Sequence, residues 1–193
     1  MNHETIFRKF DVMDIPKGSI VLLCGVQNCG KSTWSKKHFK EECIINTDDV
    51  FYSILEKYSP AEKTFEEIEM LTSLEIKRLI DESKTKNEYT VVDAVPTEYE
   101  ERISWIEDFC TEFKNVILIA FKSNILEVLS NPRKPASHLD KKWSITFPPQ
   151  DYIVMANHGL LQEIKSDIIR IGATKTYILS TENKNSIKCE INW

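Results

Sequence analysis

The chain has 193 residues, a net charge of −5 and 41% hydrophobic side chains, which is the composition of a globular protein large enough to bury a core. No apolar run approaches the ~20 residues that span a bilayer, and the N-terminus lacks the layout of a signal peptide, so we expect no membrane association. The acidic balance argues against a general nucleic-acid coat protein.

The five cysteines are scattered and form no Cys-x-x-Cys pair. They therefore predict neither a zinc site nor a disulfide framework. Reduced thiols favour a cytoplasmic location. We expect one domain over residues 1–193, and the sequence indicates no oligomeric state.

The first motif follows a lead-in of residues 1–18 and a predicted strand over 19–24. The strand stops at Gly25, and the spacing Gly25-x-x-x-x-Gly30-Lys31-Ser32 then opens a lysine-rich segment that we expect to be helical to about Glu42. This is the phosphate-binding P-loop pattern in the context that it needs, with a strand before it and a helix after it.

This pattern predicts a site for the phosphates of ATP. Glycines permit a tight turn, and successive backbone N–H groups at a helix N-terminus bind anions. We expect Lys31 to reach the β- and γ-phosphates and the Ser32 hydroxyl to hold Mg²⁺. The predicted nucleotide-binding residues are Gly25, Val26, Gln27, Asn28, Cys29, Gly30, Lys31, Ser32 and Thr33.

Two further predicted strands, 43–46 and 89–93, lead to carboxylates. Asp48 and Asp49 follow the first of these strands, and Asp93 ends the second. The carboxyl ends of parallel strands form the ligand site of an α/β sheet, so these groups are expected to converge on the P-loop. We expect Asp48 to be the general base for an acceptor hydroxyl and Asp93 to serve the metal, while one of Asp48 and Asp49 caps the next helix.

The remaining elements are predicted in alternation with these strands. Helices are expected over 50–57, 62–86, 96–113, 125–129 and 150–165, and strands over 116–121 and 167–171, with a hairpin from 174–179 and 187–191. The alternation predicts an α/β fold of three layers, typical of P-loop kinases, with a parallel sheet of about five strands and a C-terminal β-hairpin at about 174–192.

Residues 131–149 are rich in proline and basic residues and have no apolar stripe. We expect them to form a lid rather than a regular element. Arg133, with Lys134, is expected to neutralise charge on the transferring phosphate.

Several of these residues resemble the kinase module of the polynucleotide 5′-hydroxyl kinases of bacteriophage T4 and bacteria. The resemblance rests on residues 25–34, which include Gly-Lys-Ser-Thr-Trp, on Asn-Thr-Asp-Asp at 46–49 and on Ser-Ile at 53–54, and it extends more weakly to Pro149. It implies that Asp48 activates the 5′-hydroxyl of a nucleic acid and that Arg133 contacts the ATP phosphates. The chain contains no Asp-x-Asp-x-Thr phosphatase signature, which indicates a stand-alone kinase module.

The acceptor half of this pattern differs. Phe51 stands where those enzymes place an arginine for the acceptor phosphate, Ala94 and Val95 replace polar residues, and Ser130 replaces the first lid arginine. Three functions therefore stay open: an ATP-dependent kinase of a nucleic-acid 5′-end, a kinase of a small metabolite such as a nucleoside or sugar, and a non-catalytic nucleotide-binding regulatory protein.

Overall fold

The structure is a computed structural model, and it describes residues 6–8, 15–96, 98–122, 124–130, 137–146, 151–158, 160, 175–180 and 188–192. Its strands are β1 (Ile6–Arg8), β2 (Ser19–Cys24), β3 (Ile44–Asn46), β4 (Tyr89–Val95), β5 (Asn115–Lys122), β6 (Lys175–Ser180) and β7 (Lys188–Asn192). Its helices are α1 (Lys31–His38), α2 (Thr47–Lys57), α3 (Phe65–Lys86), α4 (Tyr99–Phe109), α5 (Ile125–Ser130) and α6 (His138–Trp143). Residues 151–158 are also helical.

One sheet joins the strands in the order β1-β7-β6-β5-β2-β4-β3. The five strands from β6 to β3 are parallel, and β7 and β1 extend the sheet in antiparallel pairing. After β2, the strands β3 and β4 are placed on one side of it in the sheet, and β5 is placed on its other side. The carboxyl end of β2 is therefore the topological switch point, where open α/β sheets bind ligands.

The two faces of the sheet form two separate cores, because successive side chains of a strand point to opposite faces. Val21 and Leu23 pack with Trp34 of α1 on one face. Ile20 and Leu22 pack on the other face, in the core that also holds residues of α2, α3 and α4. Every residue of β2 is buried, as is usual for a parallel strand that helices cover on both faces.

The predicted fold class is confirmed: the chain is an α/β protein with helices on both faces of a parallel sheet and a hairpin of β6 and β7. The fifth parallel strand is β6, the first strand of that hairpin. The predicted strand 167–171 lies outside the described residues. The lead-in contributes β1, which pairs with β7 and which the sequence analysis did not predict.

The prediction that residues 131–149 form no regular element is wrong for α6. Ser137 caps this helix, with a capping box in which its hydroxyl accepts from the Asp140 N–H and the Asp140 carboxylate accepts from the Ser137 N–H. Leu139 packs in a third cluster with Ile54, Leu55 and Ile68 of α2 and α3. A helix as short as α6 is difficult to predict, because a single buried leucine gives no periodic apolar stripe.

Within the described residues, none of the helices has both the length and the apolar character that a bilayer crossing requires.

Candidate active site

The loop between β2 and α1, which the sequence predicts to bind phosphate, turns tightly and is closely packed. Asn28 and Gly30 adopt left-handed conformations with φ of 62° and 93°, which turns the chain sharply before α1 begins at Lys31. A Cβ atom at Gly25 would lie 2.9 Å from Cys29 Sγ and 3.0 Å from Phe121 Cβ. The two glycines of the motif thus have separate causes, since Gly25 is needed for close packing and Gly30 for its positive φ.

Lys31 points into this loop. Its ammonium group donates to the carbonyl oxygens of Gly25 at 2.7 Å and Val26 at 3.1 Å, and it lies 3.8 Å from Cys29 Sγ. Only 9% of the residue is exposed. A full positive charge is therefore held inside the loop at the N-terminus of α1, where the helix dipole adds to the positive potential.

The hydroxyl residues after Lys31 remain open to solvent. Ser32 and Thr33 are exposed in the first turn of α1, and no acidic residue lies in that turn. Trp34, by contrast, is buried against Phe39 and Phe121. The first turn of α1 is thus anchored by Trp34, while Ser32 and Thr33 stay exposed.

Asp93 lies at the carboxyl end of β4, in register with Leu23 of β2 and Asn46 of β3. Residues in register share a face of the sheet, so Asp93 lies on the face that α1 covers. It is only 1% exposed. Its Oδ2 accepts from Asn46 Nδ2 at 3.4 Å, and its Oδ1 has no hydrogen-bond partner among the described residues.

A buried carboxylate oxygen without a partner is costly, and it indicates a group that is completed by a ligand or an ion. Asp93 therefore has the chemistry of a metal-serving carboxylate. The pairing of β2 with β4 shifts register after Asp93, so that Cys24 of β2 pairs with Val95. The side chains of Ala94 and Val95 lie outside the described part of the structure.

Asn46 links β3, β4 and α2. Its Oδ1 accepts from the N–H groups of Asp48 at 3.0 Å and Asp49 at 3.1 Å, and so it caps α2. Thr47 adds a second link to β4, because its hydroxyl donates to the Asp93 carbonyl at 3.2 Å. The prediction that Asp48 or Asp49 caps this helix is wrong. The helix begins at Thr47, which places both aspartates in its first turn.

The two aspartates lie on different sides of α2. Asp49 lines a cavity of about 590 Å³ beside the edge strand β3, together with Lys36 and Asp93. Asp48 lies one turn before Tyr52, and its negative charge contributes to the raised pKa of the Tyr52 hydroxyl. Helix geometry places residues four apart on one face. Asp48 therefore faces the side of α2 that contacts α6.

Replacing the cap tests this arrangement. We expect Asn46→Ala to lower the free energy of unfolding by about 1–2 kcal/mol, because it removes the acceptor of two backbone N–H groups. Asn46→Ser keeps a capping acceptor without adding a negative charge beside Asp93, and it is the matched control, with most of the stability retained. Chemical denaturation measures both. Equal stability of Asn46→Ala and the wild type would contradict the assignment of the cap.

Tyr52 and Asp140 form a hydrogen bond between elements 88 residues apart. Tyr52 Oη donates to Asp140 Oδ1 at 2.6 Å. Burial raises the pKa of Tyr52 to about 12, together with this hydrogen bond and the charges of Asp140 and Asp48. The same bond holds the pKa of Asp140 below its usual value, with help from the Ser137 N–H and hydroxyl. One oxygen of Asp140 thus accepts a hydrogen bond at the N-cap of α6, and the other accepts one from α2.

This pKa gives a direct test. We expect Asp140→Asn to lower the pKa of Tyr52 below about 12, because a negative charge that opposes the phenolate is lost, while burial still keeps it above the ordinary ~10. Because the pKa of Tyr52 is higher in the folded protein than in the unfolded chain, it stabilises the fold at pH values below ~10. This stabilisation is lost as the pH rises from about 10 to about 12. Ultraviolet titration measures the tyrosinate. Tyr52→Phe identifies its signal, and an unchanged titration in Asp140→Asn would contradict the contact.

The structure brings together most of the predicted site residues. The P-loop, Asp48 and Asp93 all lie at the carboxyl end of the parallel strands, at the ends of β2, β3 and β4. Arg133 lies outside the described residues, so its role stays a prediction.

The sequence analysis missed the structural roles of Asn46, Tyr52 and Asp140. The capping-box spacing Ser137-x-x-Asp140 was the available signal for α6.

No protein-family model matches the chain, and no curated protein matches its sequence. Among solved structures, the chain is similar to the crystal structure of a gluconokinase from Sinorhizobium meliloti 1021, with 15% sequence identity and a TM-score of 0.40. The similarity covers 81% of this chain and 99% of that one. A similarity of this size establishes neither an activity nor an acceptor for this chain.

Proposed function

We propose that this protein is an ATP-dependent kinase that transfers the γ-phosphate to a hydroxyl group. The observation that carries the proposal is the buried Lys31 ammonium inside the loop between β2 and α1. A buried cation at a helix N-terminus favours a strongly anionic ligand, and the loop spacing is that of nucleoside triphosphate sites.

The residues present fit Mg²⁺ as the partner of ATP. Asp93 offers a buried carboxylate oxygen that lacks a partner among the described residues, and Ser32 offers an exposed hydroxyl at the start of α1. Both are oxygen ligands of the kind that Mg²⁺ prefers. The ion, when bound, neutralises charge on the phosphates. Ser32 and Asp93 would hold it, and Lys31 would hold the phosphates.

Asp48 is the proposed general base. It lies exposed in the first turn of α2, and that helix is fixed to β4 through Asn46 and Thr47. The carboxylate would accept the proton of the acceptor hydroxyl as its oxygen attacks phosphorus and the bond to ADP breaks. Arg133 is proposed to neutralise the charge that develops on the transferring group.

The first candidate for the acceptor is the 5′-hydroxyl of a polynucleotide. It is supported by the resemblance of 30–34 and 46–49 to the polynucleotide kinases, since those stretches include the phosphate loop and the proposed base. The basic residues after Ser130 would complement a phosphate backbone.

The surroundings of Phe51 favour a second candidate, a small metabolite such as a nucleoside or a sugar. Phe51 packs edge-on against Tyr52 and Phe65, with ring centroids 5.6 and 5.8 Å apart. An aromatic group three residues after the proposed base cannot bind a phosphate as an arginine would. It offers a ring surface to an uncharged part of an acceptor.

A transfer assay with γ-labelled ATP distinguishes these candidates. The acceptors are single-stranded RNA and DNA with a 5′-hydroxyl, the same oligonucleotides with a 5′-phosphate, and a panel of nucleosides and sugars. We expect label on one hydroxyl class, and no 5′-transfer to the phosphorylated oligonucleotides. ATP binding with no transfer to any acceptor would overturn the kinase proposal and favour a regulatory nucleotide-binding protein.

A further inference from the structure

The surface of α2 that carries Asp48 is also the surface on which α6 docks. Besides the bond from Tyr52 to Asp140, the Lys142 ammonium donates to the Tyr58 carbonyl at 2.8 Å, just beyond the C-terminus of α2. Leu139 of α6 packs in one cluster with Ile54 and Leu55 of α2. The helix α6 is therefore held at several points along the C-terminal half of α2, from Tyr52 to Tyr58.

Asp140 performs two tasks in this contact. Its Oδ2 accepts from the Ser137 N–H at 2.6 Å and completes the capping box of α6, while its Oδ1 accepts from Tyr52 Oη. The residue is only 2% exposed. A buried carboxylate needs such partners to remain charged. The same group therefore starts α6 and attaches it to α2, so the order of α6 depends on Tyr52.

Tyr52 connects this contact to the proposed base. It lies four residues after Asp48 on one helix face, and the charge of Asp48 acts on its hydroxyl. The Tyr52 hydroxyl donates its hydrogen bond to the Asp140 carboxylate.

We propose that Tyr52 is a positioning residue, which through Asp140 holds α6 beside Asp48 and so fixes the acceptor side of the active site. This inference rests on the proposed kinase function. It predicts that loss of the Tyr52 hydroxyl impairs the handling of the acceptor and leaves the binding of ATP intact, because the phosphate loop lies on other elements.

The test is Tyr52→Phe in the full chain, with the acceptor that the wild type phosphorylates. We expect the KM for the acceptor to rise ~10-fold, which is about the effect of one hydrogen bond to a charged group. The Kd for ATP should stay within about twofold, and the fraction of ATP lost to hydrolysis should increase because the acceptor is held less well. The amides of residues 138–143 should exchange faster with solvent.

Two further variants make the test specific. Tyr58→Phe removes a hydroxyl from another half-buried tyrosine of the same cluster and should leave the acceptor KM unchanged. Asp140→Asn weakens the same bond from the other side, so Tyr52→Phe should have little additional effect in its presence.

The outcomes are distinguishable. If the wild type transfers phosphate to no acceptor, the kinase proposal and this inference both fail. If the wild type is active and Tyr52→Phe matches it in acceptor KM and in hydrolysis, Tyr52 is only structural and this inference alone fails. An equal rise in acceptor KM for Tyr58→Phe would also overturn it, since the effect would then belong to the cluster as a whole.

Discussion

Replacing Lys31 should abolish the binding of ATP. Its ammonium group lies inside the phosphate loop with bonds to Gly25 and Val26, and each hydrogen bond of a charged group to a ligand contributes about 1.5–3 kcal/mol. Loss of the contacts to two phosphates therefore predicts a Kd for ATP that is at least ~10²-fold higher. Isothermal titration with ATP and Mg²⁺ measures this change.

The burial of Lys31 decides which substitutions are suitable for this experiment. Lys31 is only 9% exposed, so Lys31→Ala also removes a packed stem. Lys31→Met keeps most of that stem and removes the charge, and it should lose ATP binding with little loss of stability. Lys37→Ala, on the exposed side of α1, removes the same charge and should bind ATP normally. Wild-type affinity in Lys31→Met would show that this loop does not bind the phosphates.

Replacing Asp48 should have the second largest effect, on turnover instead of binding. We expect Asp48→Asn to lower kcat ~10²–10⁴-fold, the usual contribution of a positioned general base. The Kd for ATP should change little, because a base directed at the acceptor contributes little to holding the donor. Steady-state transfer to the acceptor, with a separate titration of ATP, measures the two quantities.

Asp49→Asn is the matched control for Asp48→Asn. Both residues lie in the first turn of α2 and neither caps it, so each substitution should cost a similar ~0.3–1 kcal/mol through the helix dipole. The assignment of Asp48 as the base predicts that only Asp48→Asn loses turnover, although Asp49 lines the cavity that Asp93 also lines. Equal catalytic losses would contradict the assignment. Loss of ATP binding in Asp48→Asn would assign that carboxylate to the metal.

The fold class could be predicted from short-range signals. Apolar runs such as 20–24 are readable as buried strands because the helices of a parallel sheet cover both faces. The spacing of Gly25 and Gly30 predicts the loop because backbone geometry and close packing allow few alternatives there. The carboxyl-end positions of Asp48 and Asp93 follow from strand direction alone.

Helix boundaries near the site were less predictable. The sequence contains three candidates for the cap of α2 in Asn46, Asp48 and Asp49, and both asparagine and aspartate are common helix caps. The choice depends on β3, whose pairing with β4 fixes Asn46 at the strand end and directs its amide toward Asp93. A local sequence pattern contains no information on that pairing.

The sequence by itself determined the phosphate loop, the parallel strands and the two carboxylates at their ends, because each depends on residues close together in the chain. The tertiary structure alone decided that Lys31 is buried, that Asn46 caps α2 and that Tyr52 is bonded to Asp140. The last contact joins residues 88 positions apart. Its stability comes from a shared cluster of Ile54, Leu55 and Leu139, which forms only when α2 and α6 are already side by side.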